Sequence, residues 1–107
     1  MLTMDVNEFS ELIQEDDVVV LDVRTPEEFS EGYIDKALNI DFYRPDFSPA
    51  IDSLEKAPTY AVYCRSGKRS TEAIQIMRTL GFNGLFNLDG GIIEWANVGK
   101  PVMKNNS

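Results

Sequence analysis

The stretch Thr59-Tyr60-Ala61-Val62-Tyr63-Cys64-Arg65-Ser66-Gly67-Lys68-Arg69-Ser70, continued by Thr71 to Leu80 and Gly81, carries both halves of an α/β unit. Thr59 to Tyr63 is apolar, aromatic and β-branched, the composition of a buried strand. From Ser70 to Leu80 the period changes. Ala73, Ile74, Met77 and Leu80 fall on one helical face, and Gly81 suits the left-handed residue that ends a helix. A polar, glycine-containing run beginning at Cys64 joins the two patterns.

Working outward, the same alternation recurs. Val18 to Val23 reads as a strand covered on both faces. Thr25-Pro26-Glu27-Glu28 then supplies a cap, a first-turn proline and a Glu three residues after the cap, opening a short helix that Gly32 stops. Asp5 to Gln14 is an amphipathic helix with Val6, Phe9, Leu12 and Ile13 on one face and Thr3 or Asp5 as cap. Ala37 to Ile40 and Gly84 to Asn87 read as short strands. Pro49 to Lys56 and Ile92 to Val98 read as helices, the latter opened by Gly90-Gly91 and closed by Gly99 and Pro101. Strands separated by helices imply a parallel α/β sheet. The 107 residues suit one domain, 1–107, with Lys104 to Ser107 as a frayed tail.

Composition excludes several functions. Ten basic against eighteen acidic residues give a net charge of −8, a field that repels nucleic acid and anionic membrane. No apolar run approaches the length of a spanning helix. No cationic segment followed by an apolar one opens the chain, so no export signal is expected and the expected location is the cytoplasm. Cys64 is the only cysteine and there is no histidine. An internal disulfide, a C-x-x-C redox pair, a cysteine-rich zinc site and a Cys–His catalytic pair are therefore impossible.

Any activation of Cys64 must then be electrostatic. In parallel sheets ligands sit beyond the carboxyl ends of strands, where Cys64 falls. The following helix directs free N–H groups back toward the sulfur, and Gly67 lets the backbone turn tightly. Arg65, Lys68 and Arg69, three of the ten basic residues, add full charges. Free cysteine has a pKa of about 8.5, and such surroundings lower it to roughly 3.5–7.5. Cys64 is the candidate nucleophile. Arg65, Ser66, Gly67, Lys68, Arg69 and Ser70 form a candidate anion cradle, with helix capping as the alternative role of Ser66 and Ser70. Asp22 and Arg24 read as structural, with Arg24 placed to reach Glu28 at helical spacing.

The loop resembles the active-site loop of rhodanese-like sulfurtransferases. Leu21-Asp22-Val23-Arg24, Glu27-Glu28-Phe29 and Gly32-Tyr33-Ile34 resemble that family's amino-terminal motif. Asn87-Leu88-Asp89-Gly90-Gly91 with Trp95, then Gly99-Lys100-Pro101-Val102, resemble its carboxy-terminal one. The resemblance implies a three-layer α/β domain around a five-stranded parallel sheet flanked by helices. It also implies double displacement: Cys64 takes the outer sulfur of a small anionic donor such as thiosulfate as a persulfide. That sulfur then passes to a thiophilic acceptor, namely cyanide in the assay, a thiol or a protein cysteine. No cofactor or metal is implied. One departure is Tyr33, where the family often has histidine.

Three rivals are weighed. A phosphatase or arsenate reductase needs Cys-x5-Arg, but Ser70 stands at that position and Arg69 comes one residue early. A non-catalytic interaction module has no need of the cysteine and its cationic loop. A protein-to-protein sulfur carrier would use the same residues as a thiosulfate enzyme, and donor kinetics separate the two.

Overall fold

A computed structural model describes residues 2–104. Five parallel strands and five helices alternate: β1 (Leu2–Met4), α1 (Val6–Leu12), β2 (Val18–Asp22), α2 (Pro26–Glu31), β3 (Leu38–Asn39), α3 (Phe47–Asp52), β4 (Thr59–Tyr63), α4 (Lys68–Thr79), β5 (Leu85–Leu88) and α5 (Gly91–Asn97). The sheet order is β1-β5-β4-β2-β3, so β4 is the central strand. It pairs with β2 from Val18↔Thr59 to Asp22↔Tyr63, and with β5 from Tyr60↔Leu85 to Val62↔Asn87.

Strand residues point alternately to opposite faces, and β4 divides its side chains accordingly. Tyr60, Val62 and the following Cys64 enter one core with Phe47, Ile51, Ala73, Ile74 and Met77 of α3 and α4. Ala61 and Tyr63 enter the other with Val6, Phe9, Ile92 and Trp95 of α1 and α5. The result is the helix–sheet–helix arrangement expected. Among the described residues no helix is long and apolar enough to cross a membrane.

Most boundaries differ from expectation by a residue or two, and three elements differ in ways that have a physical reason. β1 was not foreseen; it is a three-residue edge strand whose partner is β5, more than eighty residues away in sequence. α3 starts at Phe47 rather than Pro49 and ends at Asp52 rather than Lys56. Proline is tolerated at its third position because first-turn N–H groups have no partner within the helix. α4 starts at Lys68, two residues earlier than expected, after Gly67. Of the expected tail, residues 105–107 lie outside the described part of the chain. Just before them the main chain is tied down: Tyr33 and Met103 exchange backbone hydrogen bonds of 2.9 and 2.7 Å. The Trp95 indole N–H donates to the Pro101 carbonyl at 2.9 Å.

Candidate active site

The helix starts away from Cys64 differ from the two that meet at it. α1 and α2 are closed by capping boxes, Asp5 with Glu8 and Thr25 with Glu28. The helices that meet at Cys64 have glycine N-caps, Gly67 for α4 and Gly90 for α5, which supply no capping side chain. Their first-turn N–H groups serve the loop instead. Neither Ser66 nor Ser70 caps α4.

From α5, the Ile92 N–H donates to the Cys64 carbonyl at 3.0 Å and the Ile93 N–H to the Arg65 carbonyl at 3.2 Å. With both carbonyls drawn toward α5, the amides that follow turn inward. The Gly67 N–H donates to Cys64 Sγ at 3.0 Å, and the amides of Ser66 and Ser70 face the same atom. Gly67 makes this turn at φ 108°, a conformation that glycine adopts without strain. The Ser70 hydroxyl lies 3.5 Å from Sγ. Cys64 is 1% exposed, so its sulfur sits at the base of a ring of donors.

Burial alone pushes the Cys64 thiol up. Hydrogen bonding from the Ser70 hydroxyl and from the amides of Ser70, Gly67 and Ser66 outweighs burial, and the net shift is downward. These contacts act at hydrogen-bond distance and exceed the effect of the side-chain cations. Of the three cations, Arg69 faces the sulfur closely enough for each charge to act on the other. Its guanidinium is bound elsewhere: Nη1 and Nη2 donate to the two Glu28 carboxylate oxygens at 2.7 and 2.9 Å. It also lies over the Tyr43 ring, 5.5 Å from the centroid. Arg65 and Lys68 are exposed, with no ion-pair partner among the described residues. Two hollows, of about 240 Å³ beside Glu28 and Ile93 and about 400 Å³ between Asp5, Asp89 and Glu94, are not lined by Cys64.

Arg24 does not pair with the Glu28 carboxylate as its spacing suggests. Its charge partner is Asp22, at 2.6 Å with both side chains buried. It spends its other donors on the carbonyls of Glu28 and Gly32. Asp22 sits in the last strand position and fixes Arg24 from two residues away, leaving Glu28 free for Arg69. The pair is scaffold, joining β2 to both ends of α2.

Residues 5–98 match the family model described as the rhodanese-like domain. The chain belongs to the rhodanese-like family. It is 35% identical over 92 residues to a sulfurtransferase of Allochromatium vinosum, covering 86% of this chain and 84% of that one. A rhodanese-related protein of Thermoplasma volcanium has the same fold, with a TM-score of 0.87 and 30% identity over 98% of this chain and all of the other. The domain also occurs inside larger proteins: 83% of this chain matches 27% of a tRNA uridine(34) hydroxylase of Erwinia tasmaniensis at 33% identity.

Within this rhodanese-like domain Tyr33 replaces the family's frequent histidine. Its ring stacks on Phe29 with centroids 4.4 Å apart, and its backbone holds Met103. Three residues that the structure brings to the loop are read from the sequence in other roles: Glu28 as a cap, Asn87 as a motif residue ending a strand, and Gly91 as helix entry. Only Gly91 left a usable signal, as the second of two glycines at a helix start.

Glu28 is the site's acid-sensitive link. The Arg69 hydrogen bonds lower its pKa to about 2; burial opposes this, and the Thr25 N–H and hydroxyl reinforce it. A depressed carboxylate contributes stability above its unfolded pKa of about 4.3 and loses that contribution as pH falls toward its folded value. Glu28→Gln keeps the capping box, since glutamine serves there equally well, but removes the charge. Thermal unfolding should show this variant less stable by about 1–3 kcal/mol at pH 7. The difference from wild type should close between roughly pH 4.5 and pH 2. An equal deficit at both ends of that range would assign the loss to packing rather than charge.

Proposed function

We propose that this chain is a sulfurtransferase moving a sulfane sulfur from a small anionic donor such as thiosulfate to a thiophilic acceptor, a thiol or a protein cysteine. The observation that carries the reading is the arrangement of Ser66, Gly67 and Ser70 amides around one sulfur, whose pKa they lower against the effect of burial. In the first half-reaction the Cys64 thiolate attacks the outer sulfur of thiosulfate. A new S–S bond forms, the old one breaks, and sulfite leaves with the bonding electron pair. The loop amides then hold the anionic persulfide as they held the thiolate. In the second half-reaction an acceptor such as cyanide attacks the terminal sulfur, and the Cys64 thiolate departs. Ping-pong kinetics are the fingerprint of such a cycle.

Phosphoryl chemistry has no comparable support. The buried Ser70 occupies the position where Cys-x5-Arg needs its arginine, and Arg69 is committed to Glu28.

The deciding experiment is the intact mass before and after thiosulfate, then after cyanide, with thiocyanate followed in parallel. One added sulfur on Cys64, removed as thiocyanate, supports transfer. An unmodified thiol that still alkylates as a thiolate points to a carrier served by a protein donor, and an inert thiol overturns the reading.

Donor recruitment now falls to the two free cations. Arg65→Ala with Lys68→Ala should raise KM for thiosulfate severalfold at low salt and much less at high salt. Arg69→Ala should instead lower thermal stability while leaving the salt dependence of KM near wild type. Equal salt dependence in wild type and the Arg65/Lys68 double variant would remove steering from the account.

A further inference from the structure

Ser70 has one hydroxyl proton and three acceptors within reach. The Asn87 Oδ1 atom is 2.5 Å away, the Gly67 carbonyl 3.1 Å and Cys64 Sγ 3.5 Å. Both Ser70 and Asn87 are buried, so no solvent competes for that proton. The Asn87 amide cannot turn over. The Thr71 hydroxyl donates to the Gly67 carbonyl at 2.7 Å, so its oxygen accepts from Asn87 Nδ2 at 3.2 Å. Oδ1 must therefore face Ser70.

We propose that Asn87 is a positioning residue of the reaction, which competes with the Cys64 sulfur for the Ser70 proton and thereby sets how readily the thiolate forms. In the thiol state Ser70 donates to Asn87 across the shortest distance, and its oxygen is left to accept the S–H. When the thiol proton leaves for solvent, the Ser70 hydroxyl turns to the sulfur, and Asn87 Oδ1 loses its only donor among the described residues. A buried acceptor without a partner is unfavourable, so Asn87 holds the equilibrium back toward the thiol. The counterweight keeps the sulfur nucleophilic, because nucleophilicity falls as a thiol becomes more acidic. The charged groups facing this cluster are Arg69 on α4, which acts on the sulfur, and Glu28 on α2, which binds Arg69.

The inference rests on Cys64 being the reacting sulfur, but its test does not require sulfur transfer. Iodoacetamide alkylation of Cys64 is followed at a fixed pH below the thiol's midpoint, where rate tracks thiolate fraction. Asn87→Ala frees the Ser70 proton for the sulfur and should raise the rate about fivefold. Asn87→Asp, of equal size, adds a stronger acceptor and a negative charge, and should lower it by a similar factor or more. In a Ser70→Ala background Asn87→Ala should have no further effect. Opposite signs, with the first effect abolished by Ser70→Ala, establish the competition. Unchanged rates, or shifts of the same sign in both variants, overturn it. If Asn87→Ala fails to fold, Asn87→Asp decides alone, and an unchanged or raised rate sinks the proposal. Failure here with sulfur still gained from thiosulfate would leave the proposed function standing.

Discussion

Cys64→Ser is expected to lower thiocyanate formation by at least about a thousandfold, the scale on which loss of a covalent nucleophile is felt. The reason is chemical rather than structural. The amides of Ser66, Gly67 and Ser70 favour an anion that a thiol forms far more readily than a serine hydroxyl does. Oxygen in that place would also form no persulfide, so the intact mass should stay unchanged after thiosulfate. The fold should survive. Cys64 belongs to the core between the sheet and α4, and a slightly smaller hydroxyl there finds the Gly67 N–H and the Ser70 hydroxyl already in position. Hydrogen bonding should hold the change in stability to about 1 kcal/mol. The experiment pairs thiosulfate turnover with thermal unfolding. Residual turnover within tenfold of wild type would falsify Cys64 as the nucleophile, and loss of folding would move its role to the core.

The largest structural effect is expected at Gly91. Its φ is +61°, and an added Cβ would lie 2.3 Å from the Arg65 carbonyl oxygen and 2.6 Å from that of Cys64. Both obstacles are backbone, so neither can turn aside as a side-chain tip would. Left-handed geometry alone costs about 1–2 kcal/mol for a residue with a Cβ. Displacement of α5 from the loop adds the loss of the Ile92 and Ile93 hydrogen bonds. Together these place Gly91→Ala near 3–4 kcal/mol less stable, a fall in Tm on the order of 15–25 °C for a domain of this size. The functional effect should exceed the stability effect. Once α5 lets go of the Cys64 and Arg65 carbonyls, the following amides lose the two bonds that turn them to the sulfur. Alkylation of Cys64 at neutral pH should therefore slow even at temperatures where the variant is folded. A variant with wild-type Tm and wild-type alkylation would show that the loop holds itself without α5.

The architecture was legible where pattern and punctuation agreed. Val18 to Asp22 and Thr59 to Tyr63 are apolar runs of strand length, and the Ala73, Ile74, Met77 stripe has only a helical solution; these elements fell within two residues of their expected bounds. β1 was illegible because Leu2-Thr3-Met4 is too short to show a period, and its strand character comes from β5, far along the chain. At the site, Cys64 and its loop stood out by residue type. Their partners did not. Glu28 looked like a simple capping residue, which it also is, and nothing local says that its carboxylate reaches forty-one residues on to Arg69. Asn87 looked like an ordinary polar end to a short strand. Charge density suggested that cations stabilise the sulfur, while the helix start and Gly67 pointed to backbone N–H groups, and it is the backbone that makes the nearest contacts.

The central place of β4 has a consequence for how the protein fails. Its amides are bonded to β2 on one side and β5 on the other, and no edge frays toward Cys64. Such amides exchange with solvent deuterium only through openings close to global unfolding in free energy. The strand that runs into Cys64 therefore belongs to the last cooperative unit to open. Damage or heat should deplete the number of competent molecules rather than blunt each one, so turnover per folded molecule should stay constant as the folded fraction falls.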